Sequence, residues 1–142
     1  MFISKIYLSK LSQSKSLPFY ESVVPAGFPS PAEDNTDLTL DLNDYLIKHP
    51  AATFYVYAKG NSMIGSGIHD GDLMIVDRSL NPNSNNIVVA IINGEFTVKK
   101  IKKIKNKVYL QPNNNLYEPI EITSDMDFSI WGIVTHVIHK PK

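Results

Sequence analysis

Six short runs of β-branched and aromatic residues follow one another from Thr53 to the end of the chain. They read FYVYA, LMIVD, IVVAII, EFTVKKI, KVYLQP and IWGIVTHVI. Such runs are typical of strands, because branched and aromatic side chains pack well on a pleated surface. Asn93-Gly94, between the third and fourth runs, predicts a two-residue hairpin turn. We therefore predict a mostly-β fold, a compact, partly closed barrel or sandwich of short strands.

One short helix is predicted just before these strands, in the segment DLNDYLIKHP. Asp41 is suited to the N-cap because its carboxylate can accept hydrogen bonds from the first free N–H groups. Apolar residues follow at helical spacing, and Pro50 ends the helix.

The first 37 residues have a different character, polar and interrupted by proline from Pro18 to Pro31. Proline excludes a long helix there. Two apolar clusters, at 17–20 and 23–24, indicate that this arm packs against another surface. We expect an extended N-terminal arm over residues 1–37 and a β-rich domain over residues 38–142.

Composition excludes several classes of protein. A chain of 142 residues suits one domain, and its 14 basic and 14 acidic residues give no general attraction to DNA or anionic membranes. Without cysteine there is no disulfide and no thiolate nucleophile. Lysines interrupt the apolar N-terminal residues, and no run approaches the roughly 20 apolar residues that span a bilayer. We expect a cytoplasmic protein that does not bind membranes.

The four histidines do not form a recognised metal motif. His136 and His139 lie three apart in a predicted strand and would face opposite sides, His49 precedes a proline, and His69 lies in a turn. Since zinc needs three or four convergent ligands, we expect surface or structural histidines and no metal site.

A run of lysines extends from Lys99 to Lys107. Lysines there could be a solvated hairpin edge that blocks pairing with other strands, or a contact surface for a partner.

Ser62 lies in a loop that contains Gly60, Gly65 and Gly67. Glycine allows backbone conformations closed to other residues, so such a loop could expose the hydroxyl and direct N–H groups to one point. A glycine-rich loop can equally be a simple turn.

Two adjacent lysines, Lys99 and Lys100, follow apolar residues in the strand FTVKKI and would face opposite sides of the sheet. A buried lysine loses its charge, because desolvation disfavours the ammonium form, and a neutral lysine can take a proton from serine. Alternation alone does not say which lysine is buried, and both could be solvated.

Taken in order, these pieces resemble the UmuD and LexA family of self-cleaving serine peptidases, most of all its UmuD branch. The matching pieces cover almost the whole chain: AGFPSPA at 26–32, the helix segment at 41–50, GNSM at 60–63, GIHDGDL at 67–73, NGEFTVKK at 93–100 and GIV at 132–134.

The resemblance implies the residues of a self-cleavage site. Ser62 would be the nucleophile, Lys99 the general base, and Ala26–Gly27 the scissile bond. The N–H groups of Asn61 and Ser62 would stabilise the oxyanion. Asn61 stands where the family usually has aspartate. The mechanism needs no cofactor.

The resemblance also implies a role in SOS mutagenesis. A RecA filament on single-stranded DNA would stimulate cleavage, and the trimmed homodimer would serve a UmuC-type Y-family translesion DNA polymerase as an accessory subunit. A LexA-type repressor needs a helix-turn-helix domain before its cleavage site. Only the proline-rich arm precedes Gly27 here, so we expect no direct sequence-specific DNA binding.

Two other hypotheses remain. The chain could be a non-catalytic module that binds a polymerase or RecA and retains an unused Ser–Lys dyad. It could also be a truncated relative of a phage repressor, which would need a separate DNA-binding partner.

Overall fold

The computed structural model describes residues 1–8, 15–18, 38–114 and 116–141. Within these residues the chain forms one α-helix, α1 (Leu42–Leu46), and ten strands. The strands are β1 (Phe2–Leu8), β2 (Ser16–Pro18), β3 (Thr39–Asp41), β4 (Thr53–Lys59), β5 (Leu73–Asp77), β6 (Ile87–Ile92), β7 (Glu95–Ile104), β8 (Lys107–Gln111), β9 (Ile120–Ile122) and β10 (Phe128–Ile138). The predicted mostly-β class with one short helix is confirmed.

The chain divides into two compact units, Met1–Ser9 with His49–Lys142, and Lys10–Lys48. The smaller unit contains β2, β3 and α1. Its strands pair antiparallel, and Asp41 caps the helix by accepting the Asn43 N–H at 2.9 Å, as its position in the sequence predicts. The predicted domain boundary between residues 37 and 38 stays a prediction, because residues 19–37 lie outside the described part of the chain.

Eight antiparallel strands of the larger unit form one sheet in the order β1-β4-β5-β10-β6-β7-β8-β9. A hydrogen bond shows that the sheet curls: the N–H of Val98 in β7 donates to the carbonyl of Met1 at 3.1 Å. That bond joins the first strand of the order to the sixth. The sheet is therefore a partly closed barrel, as predicted, and β8 and β9 extend beyond the closure.

All six predicted strands are present, as β4 to β8 and β10. Asn93 and Gly94 form the predicted turn with φ angles of 49° and 85°, values that asparagine and glycine tolerate better than other residues. The sequence pattern missed β1, which pairs with β4 along its whole length. A register shift between Ile3 and Ile6 interrupts the alternation of side chains between the two faces of β1. The two-residue period that marks a strand is therefore not visible in its sequence.

Both faces of β6 are buried. Val89 packs in a cluster with residues of β4, β5 and β7, whereas its neighbours Val88 and Ala90 pack in a second cluster with Leu110 of β8 and Ile133 of β10. Successive side chains of a strand point to opposite faces, so a strand with two buried faces needs a continuous apolar run. This explains the sequence IVVAII, which shows no alternation.

On the side of β6, β7 is paired only up to Lys100, and its lysine-rich end continues beyond that strand beside the polar loop at 82–86. Lys102 donates to the side chain of Asn85, and Lys103 donates from its backbone N–H to Ser84 Oγ at 3.2 Å. These lysines hold the polar loop at 82–86 against the strand.

Gly132 marks the closest approach of β10 to β5. A Cβ atom there would lie 2.6 Å from Val76 Cγ1 and 3.2 Å from the carbonyl oxygen of Asp77. Val76 is fully buried and packs in the hydrophobic core. We predict that Gly132→Ala lowers the free energy of unfolding by about 1–3 kcal/mol, the usual cost of overpacking a core.

Urea denaturation in a Ser62→Ala background, which prevents any self-cleavage, measures this change. Ser129→Ala, at an exposed position of the same strand, is the matched control and should have little effect. Equal stability of the Gly132→Ala and Ser129→Ala proteins would contradict the close packing at Gly132.

Candidate functional site

Ser62 is held in place by the residues on both sides of it in the loop after β4. Gly60 has φ +101°, a conformation that favours glycine, and its N–H donates to Asp70 Oδ1 at 2.8 Å. Met63 is fully buried in the core. The carbonyl of Asn61 accepts a hydrogen bond from Asn114 Nδ2 at 2.7 Å. The hydroxyl therefore projects from a loop whose backbone is fixed by packing and hydrogen bonds.

Lys99 lies in β7, opposite Val88 of β6. Its side chain is 8% exposed, while that of Lys100 is only partly buried, so the fold decides which of the two adjacent lysines is desolvated. The Nζ atom of Lys99 lies 3.3 Å from Ser62 Oγ. The structure therefore brings together the two residues that the resemblance assigns to the dyad.

Burial lowers the pKa of Lys99 below its ordinary value, although a hydrogen bond with the chain's amino group acts in the opposite direction. A lowered pKa favours the neutral amine, whose lone pair can accept the hydroxyl proton of Ser62. The pair is thus chemically suited to a serine nucleophile with a lysine base.

The amino group of Met1 also contacts this site, a feature that the sequence pattern did not indicate. It donates to Ser62 Oγ at 2.5 Å, and the Met1 side chain is buried in the core. Burial, followed by the hydrogen bond and charge of Lys99, lowers the pKa of this amino group from 8.0 to about 5. Met1 covers the serine, which is only 2% exposed, so the loop does not expose the hydroxyl in this arrangement of the chain.

A cavity of about 560 Å³ adjoins the dyad. Besides Ser62 and Lys99, its lining includes Glu95 and Thr97 of β7 and Tyr117. A groove beside a strand offers backbone groups and side chains to an extended segment of chain. Its size and position suit a short peptide laid next to the serine.

The described part of the structure does not test the roles of the other predicted site residues. Ala26 and Gly27 lie outside the described residues. The oxyanion role of the Asn61 and Ser62 N–H groups stays a prediction.

Three of the four histidines contact buried carboxylates. His49 Nδ1 lies 2.6 Å from Asp77, and His69 and His139 both face Asp72. Although burial acts to raise the pKa of Asp72, hydrogen bonds from the His69 N–H and from His139 hold it below its ordinary value.

His69, Asp72 and His139 converge closely enough to hold a metal ion, a grouping that the spacing of the sequence did not predict.

In the described part of the chain, none of the helices has the length and apolar character needed to cross a bilayer.

Known proteins resemble the chain over most of its length. A model of the family described as "Peptidase S24-like" matches residues 18–135. Protein SamA of Salmonella typhimurium is 46% identical over 125 residues, which cover 88% of this chain and 86% of that protein. Protein MucA of Escherichia coli is 42% identical over 129 residues, covering 90% of this chain and 88% of that protein.

A LexA repressor, from Stenotrophomonas maltophilia, is 43% identical over 110 residues, which cover 78% of this chain but only 52% of the repressor. The resemblance to the UmuD and LexA family is thereby confirmed. A family match across most of the chain and several relatives above 40% identity make this chain a member of the Peptidase S24-like family.

Proposed function

We propose that the chain is a UmuD-like protein that cuts its own N-terminal arm at Ala26–Gly27, with Ser62 as nucleophile and Lys99 as general base. The observation that carries this proposal is the buried Nζ of Lys99 at 3.3 Å from Ser62 Oγ. Membership of a family of serine peptidases supports it.

Catalysis begins when neutral Lys99 accepts the hydroxyl proton of Ser62 as Oγ attacks the carbonyl carbon of Ala26. The tetrahedral intermediate collapses, the bond between Ala26 and Gly27 breaks, and the proton passes to the amino group of Gly27. Water then hydrolyses the ester between Ala26 and Ser62, with Lys99 again as base. Because the arm is part of the same polypeptide or of a dimer partner, attack benefits from a high effective concentration.

Met1 has to leave Ser62 before the scissile carbonyl can approach, since its amino group lies 2.5 Å from Oγ. A serine covered in this way gives slow cleavage until another factor rearranges the segment that covers it. In the proposed function that factor is a RecA filament on single-stranded DNA. The trimmed homodimer then acts in the cytoplasm as accessory subunit of a UmuC-type translesion polymerase.

A second candidate function is a non-catalytic module that binds RecA or a polymerase as the intact chain. The same contact between Met1 and Ser62 favours it, because an amino group at the hydroxyl occupies the position that a substrate carbonyl needs. The two candidates differ in whether the arm is ever removed.

Mutation of the dyad separates these candidates. We predict that wild-type protein, incubated at alkaline pH or with RecA, ATP and single-stranded DNA, yields fragments 1–26 and 27–142. Ser62→Ala should abolish cleavage, and Lys99→Ala should slow it by about a hundredfold or more, as expected for a lost general base. Intact-mass spectrometry over time measures both the bond that is cut and the rate.

Lys100→Ala is the matched control, because Lys100 is the neighbouring lysine on the opposite face of β7 and should leave the rate near that of wild type. An uncut chain under every condition would favour the non-catalytic module. If Lys99→Ala protein were cleaved at the wild-type rate, Lys99 would be excluded as the general base.

The rate of cleavage without RecA should rise with pH. Lys99 is charged and cannot accept a proton below its pKa, and it is neutral above it. Because burial lowers this pKa from 10.5, the rate should reach half its maximum at a pH below 10.5 and then level off. Rates measured by mass spectrometry from neutral to alkaline pH test this, with Ser62→Ala as a blank for hydroxide hydrolysis. A profile that does not change with pH would argue against a lysine base.

A further inference from the structure

Two histidines converge on one buried carboxylate at the end of the sheet. His69 and Asp72 belong to the turn before β5, and His139 follows the last residue of β10. Asp72 is 3% exposed, and its two carboxylate oxygens face different histidines. Oδ1 lies 2.6 Å from His139 Nδ1, and Oδ2 lies 3.6 Å from His69 Nδ1. Residues distant in the sequence thus meet at one point.

The spacing of the three ligand atoms suits a small divalent ion. All of them lie within 4.8 Å of one another. Zinc binds histidine nitrogen and carboxylate oxygen at about 2.0–2.2 Å, so two ligand atoms on one ion are separated by about 3.0–3.5 Å. The observed separations are 2.6 Å to one carboxylate oxygen and 3.6 Å to the other, on either side of this range. A bound ion would replace the hydrogen bond between His139 and Asp72 and move these two groups slightly apart.

The surroundings of the carboxylate also fit a metal ligand. The backbone N–H of His69 donates to Asp72 Oδ2 at 2.8 Å, which fixes the orientation of the carboxylate, as outer hydrogen bonds do in metal sites. The side chains of His69 and His139 are about half exposed, at 49% and 48%, so one side of the cluster is open to water. The open side provides room for a further ligand.

We propose that His69, Asp72 and His139 form a zinc-binding site with three protein ligands and one position open to solvent. Two imidazoles and one carboxylate favour a transition metal of the zinc class over Mg²⁺ or Ca²⁺, which prefer sites made of oxygen alone. This site is separate from the Ser62–Lys99 pair and does not depend on self-cleavage.

A bound ion would connect the turn at 69–72 to the end of β10. The same turn is bonded to β4, because the Gly71 N–H donates to the Ala58 carbonyl at 2.9 Å and the Ala58 N–H donates to the Asp72 carbonyl at 2.8 Å. The loop that carries Ser62 begins directly after β4. Zinc would therefore stabilise the folded chain next to the nucleophile loop, and it should raise the midpoint of thermal unfolding.

The test uses full-length, tag-free Ser62→Ala protein, freed of metals with a chelator, so that neither self-cleavage nor an affinity tag interferes. Calorimetric titration with Zn²⁺ should give one ion per chain, and Mg²⁺ should not compete. His69→Gln and His139→Gln should each weaken the affinity for Zn²⁺ by about tenfold or more, since even residues that only support a ligand contribute this much.

His49→Gln is the matched control. His49 Nδ1 lies 2.6 Å from a carboxylate oxygen of the buried Asp77, and the His49 side chain is 49% exposed. This pair has the same distance and similar exposure as the pair of His139 and Asp72, but no second histidine contacts Asp77 in the described part of the chain. This control should leave zinc binding unchanged. Absence of binding to the parent protein, or equal binding by the parent and both ligand variants, would overturn the proposal.

Histidine-selective NMR of the parent protein keeps the proposal testable should a ligand variant fail to fold. Added Zn²⁺ should shift the ring resonances of His69 and His139 and leave those of His49 and His136 in place. Shifts confined to His49 or His136 would contradict the site.

Discussion

The arrangement of the site depends on removing the side-chain amine of Lys99 from water. A charged amine is costly to bury, so burial favours the neutral form and makes lysine a base. Two buried apolar residues flank Lys99 in the sheet, Ile101 on the same face of β7 and Val88 opposite it in β6. The same amine would be solvated and charged on a flat, open sheet.

Curvature of the sheet also brings Ser62 to Lys99. The serine loop follows β4, the second strand in the order of the sheet, whereas Lys99 lies in β7, the sixth. The loop after β4 reaches Lys99 because the sheet curls until Val98 bonds to Met1. The bond between Val98 and Met1 and the contact between Ser62 and Lys99 are thus two consequences of one bend.

The loop that carries Ser62 is anchored because two of its apolar residues are part of the core. Met63 and Ile68 are fully buried, and the N–H of Gly65 donates to the carbonyl of Asn113 at 2.7 Å. A Cβ at Gly65 would lie 2.5 Å from that carbonyl oxygen, so the close contact between the two loops requires glycine. A hydroxyl held in this way has little freedom to lose, which is the property of a preorganised site that the proposed reaction would use.

The sequence by itself determined six of the ten described strands, the Asn93-Gly94 turn and the capped helix, and through family resemblance it predicted Ser62 and Lys99 as the site residues. These features follow from local preferences, because branched side chains favour strands, and asparagine and glycine tolerate positive φ. Only the tertiary structure decided that Lys99 and not Lys100 is buried, that Met1 covers the serine, and that His69 and His139 share Asp72. Each of these depends on residues far apart in the chain, which meet through sheet order, bulges and curvature, and no local pattern in the sequence encodes those distances.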